Sequence, residues 1–365
     1  MLTARTIVGL SGGVDSAVAA ALLQRSGATV AGLYMQNWDD DGDCRGAEDR
    51  RDALKVAAKL GMPFYPRNFA QDYRQQVFAH FLAEYRAGRT PNPDVLCNRE
   101  IKFKVFLEHA LALGAECIAT GHYARIAQRG THHLLLKGRD PDKDQSYFLC
   151  LLDQYQLAHA RFPLGDLTKT EVRSLAAEAG LAVHAKPDST GICFVGERDF
   201  APFLAQWIAP QPGEIHTPAG ELIGRHNGVS FHTIGQRGGL GIGGRREGSG
   251  EPWFVVGKDM SRNLLIVDQG SDSPHLQSTR LRTEAFHWIA GGAPAARFAA
   301  HGKVRYRQSD QACEVVVQDD QRIEVRFAAP QRAVTPGQQL VLYLDDLCLG
   351  GGVIATTDAS FGGLA

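Results

Sequence analysis

The chain has no C-x-x-C pair, and its seven cysteines (Cys44, Cys97, Cys117, Cys150, Cys193, Cys313 and Cys348) are odd in number and scattered. That pattern argues against a disulfide scaffold and against a zinc site of the usual spacing. Each cysteine is by default a small buried hydrophobe, so a reactive one must be singled out by its neighbours. No apolar run is long enough to span a bilayer and no signal peptide is recognisable, which points to a cytoplasmic protein without a membrane partner. The net charge is −1, so no overall basic field invites nucleic acid, although a local basic patch survives such a sum. Internal repeats and low-complexity tracts are missing too. What remains is an ordinary soluble composition, 365 residues with 44% hydrophobic and 22% charged, enough for two or three domains.

Strand and helix signals alternate through the first 200 residues. Strands are expected at Thr6–Leu10, Thr29–Tyr34, Phe64–Asn68 and Cys117–Thr120. Helices are expected at Glu48–Leu60, Tyr73–Ala87 and Ile101–Leu113, each closed by a glycine. This order implies an α/β domain with a doubly wound, mostly parallel sheet, whose ligands lie beyond the carboxyl ends of the strands. After about Phe200 the runs shorten and glycine and proline rise. Glu221–Ile223, Trp253–Val256 and Leu264–Val267 read as strands of a small β-rich domain spanning 201–280. The stretch Gly235–Gly250 is half glycine, with Arg237, Arg245 and Arg246 interleaved, and reads as a mobile loop that could clamp RNA backbone. His301–Arg307, Glu314–Val317, Ile323–Phe327 and Leu340–Leu344 suggest an antiparallel barrel or sandwich over 281–365.

The strongest local signal is G-L-S-G-G-V-D-S, comprising Gly9, Leu10, Ser11, Gly12, Gly13, Val14, Asp15 and Ser16. It lies between an apolar strand and an alanine- and leucine-rich helix. Glycines let backbone approach an anion, and the first N–H groups of a helix lack intrahelical partners. Asp15 or Ser16 is expected to cap the helix, and Asp15 can face a metal. The lysine of G-x-x-x-x-G-K-[ST] is missing, so this is not the common ATPase loop. An ordinary strand–turn–helix corner would need only the two glycines. The full match resembles the S-G-G-x-D-S loop of N-type ATP pyrophosphatases, which implies cleavage of ATP to AMP and pyrophosphate.

Two further segments carry thiols. In Thr90–Phe103, T-P-N-P-D-V-L-C-N-R-E-I-K-F, the prolines restrict the backbone and bias Asn92 toward extended structure. Asp94 precedes Cys97 by three residues, which on a helical turn would put a carboxylate and a thiol on one face. Arg99 and Lys102 favour thiolate there. The alternative is a structural loop with a half-buried cysteine. In Asp188–Arg198, D-S-T-G-I-C-F-V-G-E-R, glycines flank Cys193, which suits either an accessible thiol or a tight turn under a buried one.

Together these segments, with A-T-G-H-Y-A-R, K-D-Q-S-Y-F-L, A-V-T-P-G-Q and C-L-G-G-G, closely resemble the tRNA-specific 2-thiouridylases. The resemblance spans essentially the whole chain and is less clear at 131–145 and 280–300. It implies an adenine nucleotide α-hydrolase-like domain at 1–200. It implies ATP and Mg²⁺ as cofactors, with backbone near Met35 and Gly121 on the nucleotide beside the Gly9–Ser16 cradle. The partners implied are tRNA and a sulfur-donor protein, either a persulfide carrier or a cysteine desulfurase. Cys193 would carry the persulfide, Cys97 would resolve it as a disulfide, and Asp94 would act as general acid/base. Asn92, Pro93 and Asp94 would contact the target base. Lys143, Asp144, Gln145, His122, Arg305, Tyr306 and Gln338 would contact tRNA, although Lys143–Asp144 could equally be a solvated pair and Arg305–Tyr306 a strand edge. Three alternatives stand beside this reading. They are a small-molecule amidating synthetase, a tRNA-binding module without catalysis, and an iron–sulfur cluster on Asp94, Cys97 and Cys193.

Overall fold

The computed structural model describes residues 5–38, 44–188, 199–242 and 250–364. Cys193 lies outside them, as do Arg245 and Arg246 of the glycine-rich stretch.

Five parallel strands form the first sheet: β1 (Arg5–Gly9), β2 (Thr29–Gln36), β3 (Phe64–Asn68), β4 (Cys117–Ala119) and β7 (Ala160–Arg161), in the order β3-β2-β1-β4-β7. The order reverses direction beside β1, which opens a crevice between the carboxyl ends of β1 and β4. β1 is buried from Thr6 to Gly9, as a strand covered on both faces must be. Helix α1 (Val14–Arg25) packs Ala17 to Ala21 on one face with α2 (Cys44–Lys59), and small side chains permit that close approach. The other face carries helical turns from Ala70 to Arg86 and from Pro93 to Ala112.

The helix expected over Tyr73–Ala87 begins at Ala70 and contains a π-helical stretch, Arg74–Phe78. Thr90–Phe103 is not a loop throughout. It is helical from Pro93, where proline at the first position loses no needed N–H, and π-helical from Cys97 to Val105. The cap of α1 also differs from expectation. The N-cap is Gly13, with no side-chain cap bond, so Asp15 and Ser16 fall inside the first turn.

Between β4 and β7 the chain makes a hairpin, β5 (Ala124–Arg129) and β6 (His132–Lys137). A four-stranded sheet follows, in the order β10-β11-β8-β9, from β8 (Gly213–His216), β9 (Leu222–His226), β10 (Trp253–Asp259) and β11 (Leu264–Gln269). The last strands are β12 (Gln277–Thr283), β13 (His287–Trp288), β14 (Arg297–Lys303), β15 (Gln311–Val317), β16 (Ile323–Arg332), β17 (Gln339–Leu344) and β18 (Leu347–Thr357). Because β12 pairs with both β16 and β18, the run β12-β16-β15-β14-β17-β18 closes into a barrel without a free edge. β14 ends at Lys303, so Arg305 and Tyr306 lie past the strand rather than in it.

The hairpin joins this barrel through Leu136 opposite Leu347. One apolar core runs through the junction, from Ile101, Phe103 and Phe106 through Tyr147 and Leu149 to Val341, Tyr343 and Cys348 of the barrel. Tyr147 is 1% exposed, and its hydroxyl donates to the Gln339 carbonyl at 2.9 Å, so the buried polar atom is satisfied. The first sheet and the barrel therefore share a core.

Candidate active site

At the carboxyl edge of the first sheet, Ser11 N–H donates to Ser16 Oγ at 3.1 Å, and Ser16 Oγ donates to the Gly13 carbonyl at 3.2 Å. These bonds curl Ser11–Ser16 into a concave turn at the start of α1. Gly12 has φ +80°, and a Cβ there would fall 2.3 Å from the Asp49 carbonyl of α2. Gly121 follows β4, and a Cβ there would lie 2.7 Å from Ser16 N, so the end of β4 rests directly on the cradle. On the other side, the methyl of Met35 from β2 would meet a Cβ at Gly9 at 3.2 Å. Gly9–Ser16, Met35 and Gly121 thus come together, as crevice geometry requires.

Four cations surround the cradle. Lys169 Nζ bonds both Asp15 oxygens (2.7 and 2.9 Å) and pairs with Asp188 at 2.7 Å. Asp188 also takes Lys143 at 2.8 Å and Arg173 at 3.1 Å. Burial alone would raise the Asp188 pKa, but the hydrogen bonds and charges of Lys143 and Lys169 outweigh it and bring it down to about 2. Lys186 bonds the Gly12 carbonyl at 3.2 Å and both Asp49 and Asp52 at 2.8 Å. Tyr123 OH donates to Asp15 at 2.7 Å. Sequence reasoning missed Lys169, Lys186, Asp188 and Tyr123 as site residues. Tyr123 and Asp188 stood within quoted motifs, whereas Lys169 was announced only by the capping box Thr168–Glu171 that starts its helix, Lys169–Glu178.

The Asn92–Cys97 segment is linked to this edge through Lys102, whose charge acts on both Asp94 and His122, the residue after Gly121. Asn92 caps its helix, its side chain accepting from Asp94 N–H at 3.2 Å. Burial raises the Asp94 pKa, with Lys102 pulling the other way. Burial and then Lys102 push His122 well below its usual value, so its imidazole is neutral, and Thr120 Oγ1 lies 2.7 Å from its Nδ1. Lys102 thus acts on both a buried carboxyl whose pKa is raised and a neutral imidazole. Cys97 is 2% exposed, within the core, and its N–H donates to the Pro93 and Asp94 carbonyls, so Asp94 and Cys97 do share a helical turn. Arg99, expected to favour thiolate, is instead paired with Glu100 at 2.6 Å.

The residues singled out as RNA contacts fall into three settings. Lys143 is half-buried and pairs with Asp188, not with its neighbour. Asp144 is buried and accepts from Gly138 N–H, Ser146 N–H and Ser146 Oγ, so the solvated-pair alternative fails. Gln145 Oε1 accepts from Tyr123 N–H at 3.0 Å. Tyr306 packs on Phe148 with ring centroids 4.3 Å apart, while Arg305 is exposed. Asp144 and Tyr306 line a cleft of about 670 Å³ between hairpin and barrel, with Arg125, Lys137, Arg139, Lys303 and Arg307 among acidic partners. Asp142, Asp144, Asp310 and Asp346 line the same cleft, and Arg125, Lys137 and Lys303 pair with three of them, so its lining is mixed in charge. Gln338 Nε2 donates to the Thr90 carbonyl at 2.8 Å and the Pro91 carbonyl at 3.3 Å, so its amide holds the Asn92 loop.

Among the described residues, no group of three or more His, Cys, Asp or Glu is arranged to hold a metal ion, and no helix is long and apolar enough to cross a membrane. The expected Asp94–Cys97–Cys193 grouping includes a residue outside them.

Residues 4–197 match the family model described as the tRNA methyl transferase HUP domain. Residues 201–269 match its PRC-barrel domain and 278–354 an aminomethyltransferase beta-barrel domain. The chain is 59% identical over 361 residues to the tRNA-specific 2-thiouridylase MnmA of Xanthomonas axonopodis pv. citri (strain 306), covering 98% of this chain and 96% of that protein. It is 60% identical over 362 residues to the protein of the same name from Stenotrophomonas maltophilia (strain R551-3), covering 98% and 95%. Among solved structures, a 4-thiouridine synthetase–RNA complex with bound ATP aligns with 56% of this chain and 50% of that one, at 17% identity and TM-score 0.34.

Proposed function

The chain belongs to the tRNA-specific 2-thiouridylase family, so its activity is 2-thiolation of uridine in tRNA, and we propose that the segments at the sheet's carboxyl edge divide that reaction between them. The carrying observation is full-length likeness to proteins of that name together with the meeting of Gly9–Ser16, Met35 and Gly121 at one crevice.

The N–H groups of the cradle hold the ATP phosphates, and backbone near Met35 takes the adenine. Asn92, Pro93 and Asp94 receive the wobble uracil, flipped out of its stack. Its O2 attacks the α-phosphorus. The O2–P bond forms, the α–β bridging bond breaks, and its electron pair leaves with pyrophosphate, while the uracil gives up its N3 proton. AMP is then a leaving group that the carbonyl oxygen alone is not. Asp94, whose pKa is raised by burial, is the acid/base for these transfers. Asp15 would hold Mg²⁺ with an oxygen that Lys169 gives up on turning to phosphate, and when bound the ion would offset phosphate charge.

A sulfur-donor protein charges Cys193 with a persulfide. The terminal sulfur adds at C2 and AMP departs. Cys97 thiolate attacks Cys193 sulfur and forms the disulfide, with the transferred sulfur released either as bound 2-thiouridine or, beforehand, as sulfide. An external dithiol then reduces Cys97–Cys193 for the next turnover. Likeness over the full length to thiouridylases, with both cysteines present, favours this over a small-molecule amidating synthetase. The test is nucleoside analysis of unmodified tRNA incubated with the protein, ATP, Mg²⁺, a cysteine desulfurase with cysteine as the persulfide source, and a dithiol reductant. 2-Thiouridine is the expected product, and its absence refutes the reading.

A further inference from the structure

The cradle lacks the lysine that a G-x-x-x-x-G-K-[ST] loop carries within its own turn. It also places a carboxylate, Asp15, in the first turn of α1, where free N–H groups would meet phosphate. A polyanion arriving there is repelled by Asp15 unless a cation stands between them.

Lys169 occupies that position. Its backbone is fixed at the start of its helix, with N–H donating to Asp140 at 2.9 Å and the Thr168–Glu171 capping box on the same turn. Its side chain is 12% exposed, and its ammonium bonds both oxygens of Asp15 and one of Asp188. These three contacts use all three donors of an ammonium. Both carboxylates nevertheless have other partners. Asp15 keeps the Tyr123 hydroxyl, and Asp188 keeps Lys143 and Arg173. Lys169 can therefore turn toward a phosphate without stranding either. Lys186, the other lysine against the cradle, has no such freedom, because Gly12 O, Asp49 and Asp52 hold it together.

We propose that Lys169 is a catalytic residue of the adenylation step, supplying from a separate helix the cation that this loop lacks and neutralising the pyrophosphate as it leaves. The inference rests on the thiouridylase reading above. In the ground state Lys169 draws the β- and γ-phosphates toward the first turn of α1. In the transition state negative charge grows on the departing bridging oxygen, and a fixed ammonium there stabilises that state more than the ground state.

The test compares wild type, Lys169→Met and Lys169→Arg. Binding of ATP and of AMP is measured by calorimetry, and tRNA-stimulated pyrophosphate release is followed alongside 2-thiouridine formation. In Lys169→Met, ATP affinity is expected to fall at least about tenfold and turnover about 10²–10³-fold, the range for removing one charge-stabilising donor. AMP, which lacks the β- and γ-phosphates, is expected to bind as in wild type. Lys169→Arg is expected to recover part of the turnover. Equal loss of ATP and AMP binding overturns the proposal, since it would mark Lys169 as a structural ion pair only. So does turnover in Lys169→Met within about twofold of wild type. A wild-type protein that makes no 2-thiouridine would refute the thiouridylase reading, whatever the nucleotide affinities of the variants.

Discussion

Replacing Gly12 by alanine tests the cradle's construction most directly, because two separate penalties meet at that residue. Its φ of +80° lies in the left-handed region, where an L side chain costs roughly 1–2 kcal/mol. Its Cβ would also stand 2.3 Å from the Asp49 carbonyl, a backbone atom in α2 that cannot rotate away. Pushing α2 back to relieve that contact strains Lys186, which ties Gly12 O to Asp49 and Asp52, and overpacking of this kind costs about 1–3 kcal/mol. The sum is roughly 2–5 kcal/mol, a fall in melting temperature of at least about 4 °C for a unit of some 200 residues. Gly13→Ala is the internal control. Its nearest neighbour would be Ser11 Oγ at 3.4 Å and its φ is −95°, so stability should change little. The assay is thermal unfolding of the full chain, followed by ATP calorimetry on whichever variant stays folded. A Gly12→Ala protein that melts with wild type, or a Gly13→Ala protein that melts lower than Gly12→Ala, refutes the reasoning.

Gln338→Leu leaves the Thr90 and Pro91 carbonyls without their side-chain donor, so it should cost about 1–3 kcal/mol in urea unfolding; an RNA contact alone would leave the midpoint unmoved. His232 is held down to about 4, first by burial and then by His226 and Lys258. Its native state thus prefers the neutral ring, and the stability this gives is complete above the unfolded value near 6.5 and is lost as pH falls from there through about 4. The urea midpoint of wild type should drop across that window, and His232→Phe should flatten the drop. Cys97→Ser and Cys193→Ser should each abolish 2-thiouridine formation while ATP affinity, measured by calorimetry, stays at the wild-type value; residual turnover in either variant would remove that cysteine from the reaction.

What could be read from the sequence was local. β1 and the cradle are legible because an apolar run, a glycine turn and an alanine-rich helix sit within about twenty residues and answer to one another. The hairpin β5–β6 was missed although its pairing is local, from Ala124–Lys137 to Arg129–His132, because the charged and histidine-rich stretch from Arg125 to His133 blurs the apolar alternation that marks a strand; Leu136 opposite Leu347 then joins it to β18. His301–Arg307 was placed late by a few residues. Arg297–Lys303 forms the strand instead, because Phe298 and Ala300 register against Val315 and Cys313. Tyr306 then leaves the sheet to pack on Phe148, an attraction invisible in strand composition. The cradle motif and the Asp94–Cys97 spacing were legible, whereas Lys169 was not. Its role as a cradle cation exists only once its helix packs against α1.

Thr90 shows how the two β-rich units hold the loop that precedes Asn92. Its N–H donates to the Pro336 carbonyl at 3.1 Å, its own carbonyl accepts from Gln338 at 2.8 Å, and its hydroxyl lies 3.1 Å from that of Thr233. Barrel and middle sheet between them therefore satisfy all its polar groups. One residue earlier, Arg89 reaches Glu284, and one before that the Gly88 carbonyl accepts from Lys258. None of these contacts touches the cradle. All of them fix the approach to Asn92, Pro93 and Asp94, the segment assigned here to the target base. The cradle's own glycine contacts come from within the first sheet and its helices, through Asp49, Met35 and Ser16. The cradle is thus built locally, whereas the Asn92 loop is positioned by the parts of the chain that carry Arg305, Tyr306 and the cleft beside them. On the proposed reading, an RNA bound at that cleft is held by the same body that positions the Asn92 loop, which ties recognition of the substrate to the geometry of attack on ATP.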